Sequence, residues 1–146
     1  MILGDQRHTY RQFFFETWNK NNQGLPLSSV ERQLMDIIQS HPEYHFIFKE
    51  PEKYKNQDFF EELGDTNPFL HMALHLGVIE QLSINLPFGI RELYQKLQKQ
   101  CSSSQEVEHY IMNALAKELV ESQQQHREFS NERYFQLIKQ QFNFHE

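Results

Sequence analysis

The sequence predicts an all-α protein, a single-domain helical bundle of about six helices that takes in residues 1–146. Three observations carry this. Apolar residues return at helical spacing through most of the chain. Ser, Asn and Pro stand where helices start. No run of alternating apolar and polar residues competes for a strand. The length suits one domain and one core. Only 38% of the residues are hydrophobic, but 13 Phe, 6 Tyr and 1 Trp supply the buried area, because each ring covers a large surface.

The first helix is expected from about Gln6 to Asn19, with Tyr10, Phe13, Phe14 and Trp18 on its apolar side. Three adjacent Phe cannot all face one way, so one of Phe13, Phe14 and Phe15 is expected at an interface. Asn21–Gly24 and Pro26 break the pattern. Ser28 and Glu31 then form a capping box, and Val30, Leu34, Ile37, Ile38 and His41 make a stripe on a second helix from Ser29 to about Ser40. Pro42 ends it, since a residue before proline is pushed out of helical dihedrals. Residues 41–66 look irregular. A helical turn is expected at His41–His45, and a polar stretch over 50–58.

Asn67 caps and Pro68 opens a third helix running to about Leu82. Asn85 and Pro87 separate it from a fourth, whose face is Ile90, Leu93, Tyr94, Leu97 and Cys101. Ser103 and Glu106 make a second capping box, opening a fifth helix from about Ser104 to Gln124. A last helix, roughly Asn131 to Gln141, carries Tyr134, Phe135, Ile138 and Phe142. Arg91 is expected to pair with Glu80 or Glu92, and Gln123–Gln125 to be a solvated helix end.

Composition narrows the function. The 14 basic residues are scattered and outnumbered by 20 acidic ones, for a formal charge of -6. Nucleic acid and anionic membranes, which need clustered Lys and Arg, are poor partners for such a chain. No stretch approaches a membrane span, no signal peptide opens the chain, and the single Cys101 fits a reducing compartment, so a cytoplasmic location is expected. Cys101 reads as a small core residue rather than a nucleophile.

Chemistry concentrates on two helices. His71 and His75 are four residues apart, share one face, and sit in the middle of the apolar arc of the third helix. On the fifth helix, Glu108 falls in the centre of the apolar face, with Gln105 and His109 at its edge. A buried carboxylate needs a partner, and the inward histidines are the candidates. Two readings follow. In one, His71, His75, Glu108 and His109 hold a divalent transition metal, zinc or iron, with His45 or Gln105 as further donors. Such a site could be catalytic, with Glu108 as a ligand or general base. In the other, the same residues form a structural hydrogen-bond network. The chain is then a non-catalytic interaction or regulatory module, with exposed aromatics such as Phe15 or Phe144 meeting a protein partner or a second copy. The helix lacks the Glu of a His-Glu-x-x-His metalloprotease, and Glu106-x-x-His109 alone does not make a di-iron site.

Several segments resemble a known family. Gly64-Asp65-Thr66-Asn67-Pro68-Phe69-Leu70-His71-Met72-Ala73-Leu74-His75 is similar to the signature of an uncharacterised proteobacterial family, domain of unknown function 1841. So are His41-Pro42-Glu43-Tyr44-His45, Phe88-Gly89-Ile90-Arg91 with Tyr94, and Glu106-Val107-Glu108-His109 with Met112 and Leu115-Ala116. The resemblance runs from the first helix to about Gln124. It implies a bacterial, cytoplasmic protein and places His71, His75, Glu108 and His109 in the family pattern, without supplying an activity. Gln105 stands where the family tends to carry a further His.

Overall fold

A computed structural model describes residues 7–59 and 66–142. The fold is all-α, with no strand among the described residues. The helices are α1 (Arg7–Asn22), α2 (Ser29–Gln39), α3 (Phe46–Lys49), α4 (Pro51–Tyr54), α5 (Pro68–Ile84), α6 (Ile90–Gln98), α7 (Ser104–Gln124) and α8 (Asn131–Gln140), with a 3-10 turn at Pro42–Tyr44. Eight helices, rather than about six, are thus described. The excess is α3 and α4, in the stretch expected to be irregular; α4 starts at Pro51 and the 3-10 turn at Pro42, each a position that needs no N–H. No helix among the described residues is long and apolar enough to cross a membrane.

Helix ends follow local chemistry. The Ser28 hydroxyl accepts from the Glu31 N–H at 3.2 Å and the Glu31 carboxylate accepts from the Ser28 N–H at 2.9 Å, a complete capping box. The box expected at Ser103 is only half made. Its hydroxyl caps Glu106, but the Glu106 carboxylate turns to the N–H and hydroxyl of Ser102 instead. α1 runs three residues past its expected end because a Schellman motif closes it. Gly24 adopts φ +70°, its N–H reaches the Asn21 carbonyl, and the Leu25 N–H reaches Lys20. Asn85 (φ 55°) carries the left-handed position beyond α5, where the Leu86 N–H reaches the Gln81 carbonyl. His126 (φ 53°) does the same beyond α7, with Arg127 N–H reaching Ser122. α6 stops at Gln98, so Cys101 lies beyond the helix expected to carry it. Burial raises the thiol's pKa, which keeps it a poor nucleophile. Val30, placed on the α2 stripe by spacing, is exposed at the first turn.

The chain divides into two compact units, Met1–Leu76 and Gly77–Glu146. In the first, Phe14, Leu34, Ile38, Ile47, Phe69 and Met72 are fully enclosed. Rings knit this core. Phe14 meets Phe69 edge-on at 5.6 Å, and Trp18 stacks on Phe48 at 4.6 Å. The Phe15 ring is half-buried, edge-on to Phe48 and Phe69. Phe144 lies outside the described residues. Arg11 is buried, donates to the Tyr54 and Gln57 carbonyls at 2.9 and 2.8 Å, and stacks over the Phe69 ring. It thereby satisfies carbonyls that the end of α4 leaves open.

In the second unit, Ile90, Val107, Ile111, Tyr134 and Ile138 are enclosed. The Tyr134 hydroxyl donates to the Gln81 amide oxygen at 2.7 Å. Glu118 is fully buried on α7 and grips the turn into α8. Arg127 donates to both its oxygens, at 2.9 Å to Oε1, and the Ser130 N–H donates to Oε2 at 2.7 Å. Arg91 pairs with neither expected carboxylate. Its guanidinium donates to the Leu82 and Ser83 carbonyls at the end of α5. Among the described residues of this unit, Phe88 is an exposed aromatic, flanked by exposed Ile84 and Leu86.

Candidate metal centre

The site starts from two local facts. Pro42 forces His41 out of the helix, to φ -124° and ψ 64°, so the chain turns sharply at a residue still in register with Leu34 and Ile38. His41 therefore swings inward and is 3% exposed. On α5, the Asn67 side chain accepts from the Leu70 N–H at 3.2 Å and Pro68 occupies the first turn. That fixes the helix start, and with it the face on which His71 and His75 stand four residues apart. His75 is 1% exposed and His71 is half-buried.

His41 meets both of the α5 imidazoles. His41 Nε2 lies 3.0 Å from His75 Nδ1. The His41 and His71 rings are 5.0 Å apart and nearly perpendicular, and each offers a ligand nitrogen within 4.8 Å of the other's. On its outer side, His41 Nδ1 lies 3.1 Å from Glu43 Oε2. Burial alone would raise the Glu43 carboxyl. Hydrogen bonds from its own backbone N–H and from the His41 ring outweigh burial and hold it below the ordinary carboxylate range. Tyr44 stacks on His41 at 5.4 Å and meets His71 edge-on at 5.5 Å. Burial, then the Glu43 charge, push its hydroxyl upward.

His71 and His75 thus sit where spacing placed them. His45, weighed as a further donor, is directed elsewhere: its Nε2 donates to the Ile38 carbonyl at 2.8 Å and its ring packs on Trp18. Glu108, expected at the centre of the apolar face of α7, is buried there, and it accepts from the Tyr94 hydroxyl at 3.1 Å. His109 follows it, half-buried, while Gln105 is exposed. Both Glu108 and His109 belong to the second unit. The sequence leaves open whether His41 joins the site. Its signal was present, as the last member of the α2 stripe, but the path of the chain after Pro42 was not.

Together these features define a helical protein with an inward histidine cluster braced by a carboxylate. The chain belongs to the family described as Domain of unknown function (DUF1841), whose model matches residues 6–140. No curated protein and no solved structure matches the chain.

Proposed function

We propose that the protein binds a divalent transition metal, zinc or iron, at the His41–His71–His75 cluster. The observation that carries this is the 3.0 Å separation of His41 Nε2 and His75 Nδ1 inside the protein. Two nitrogens bound to one ion at about 2.0–2.1 Å stand roughly 3 Å apart, so this pair needs little movement to become ligands. His71 supplies a third imidazole beside His41. Glu108 and His109, nominated by the sequence, are carried as candidates for remaining positions, and open positions would permit hydrolytic or redox chemistry. Imidazole and carboxylate donors suit zinc and iron better than calcium or magnesium, which prefer oxygen.

The same distance fits an N–H···N hydrogen bond, and this supports a second reading: the histidines fasten the end of α2 to α5 with no ion. Metal content separates the two. Protein purified without a His-tag is expected to carry about one ion per chain, lost in His41→Ala and His71→Ala. His75→Ala, His109→Ala and Glu108→Gln rank the remaining donors. A folded, metal-free chain that takes up neither Zn²⁺ nor Fe²⁺ on titration would overturn the metal reading and leave the structural one.

A further inference from the structure

We infer that Glu43 is a positioning residue that fixes the His41 tautomer, so that Nε2 is the nitrogen presented to an ion; this rests on the metal reading above.

A carboxylate can only accept, so the nitrogen 3.1 Å from Glu43 Oε2 must carry the proton. A neutral imidazole has one N–H. With that proton on Nδ1, the lone pair is on Nε2, the nitrogen that faces His75. The local backbone makes the contact. Within the 3-10 turn, the Tyr44 N–H reaches the His41 carbonyl at 2.9 Å and the His45 N–H reaches Pro42 at 3.1 Å, which holds Glu43 beside the ring two residues before it. Tyr44 stacks on the same ring at an interplanar angle of 22° and sets its plane. Plane and proton are thus fixed by consecutive residues. A carboxylate on the far nitrogen of a metal-binding imidazole orients the ring and raises its basicity.

Glu43 is also a good residue to test, because its side chain is 57% exposed and an exposed ion pair contributes little to folding. Three measurements on tag-free protein decide the matter: Zn²⁺ affinity by competition with a chromophoric chelator, the absorption of the Co²⁺-loaded protein, and the His41 tautomer by nitrogen-15 NMR of the metal-free chain. Glu43→Ala is expected to weaken Zn²⁺ binding by about 10–100-fold and to remove the preference for Nδ1–H, with an unfolding transition that coincides with the parent's. Glu43→Gln keeps an accepting oxygen and is expected to restore most of the affinity, with the parent's Co²⁺ spectrum.

Equal affinities for parent and Glu43→Ala would overturn the inference. So would Glu43→Gln falling as far as Glu43→Ala, which would mark the carboxylate as a ligand or a bare charge. A parent chain that binds neither Zn²⁺ nor Co²⁺ defeats the metal reading itself, and that failure is read from the parent alone.

Discussion

His41 Nε2 and His75 Nδ1 face each other at 3.0 Å, two buried imidazoles brought together from positions 34 residues apart. Each is the other's polar partner inside the protein. Removing one deletes a hydrogen bond made inside the protein, and that costs free energy whether or not an ion is ever bound.

His75→Ala is therefore expected to destabilise the protein by about 1–3 kcal/mol, measured by urea unfolding in the presence of a chelator. The chelator removes any metal contribution, so the loss reports the imidazole pair itself. With Zn²⁺ present at a hundred times its dissociation constant, the parent gains about 2.7 kcal/mol by mass action. His41→Ala is expected to gain nothing.

Glu118 predicts the acid limb of stability. Hydrogen bonds from Arg127, opposed by burial and helped by the Ser130 N–H and the charges of Arg127 and Arg133, lower its pKa from 4.5 to about 2. Because the folded value is depressed, its stabilisation is fully present above the unfolded value and is lost as pH falls toward about 2. Urea midpoints of parent and Arg127→Ala are expected to differ most near neutral pH and to converge between pH 4.5 and 2. A gap that stays constant across that window would contradict this assignment.

His126 holds φ 53° at the left-handed position closing α7. An L side chain is strained there and glycine is not. The ring is exposed, so nothing is lost from the core. His126→Gly is expected to stabilise by roughly 0.5–1 kcal/mol, read as an increase in thermal midpoint.

Thr17 is fully enclosed on α1, and its hydroxyl finds no hydrogen-bond partner among the described residues. Valine has nearly the same shape without the buried oxygen. Thr17→Val is expected to raise stability by about 1 kcal/mol in a urea titration.

The elements of this protein are written locally. Ser28 with Glu31, Asn67 with Pro68, and Ser103 each fix a helix start within four residues, because a cap is a contact between near neighbours. The spacing of His71 and His75 is equally local, being set by the pitch of one helix. The sequence by itself thus determined the all-α class, most helix bounds, the family resemblance, and the inward faces of His75 and Glu108. Tertiary structure decided which polar groups share a site. Pro42 could be read as a helix stop and a helical turn expected after it, but not that this turn points His41 at His75 and puts Glu43 behind it. The same holds for the grip of Arg127 on Glu118 and of Arg11 on the end of α4. Periodicity says which side of a helix faces inward. It does not say what waits there, because contacts between distant segments depend on the path of the whole chain.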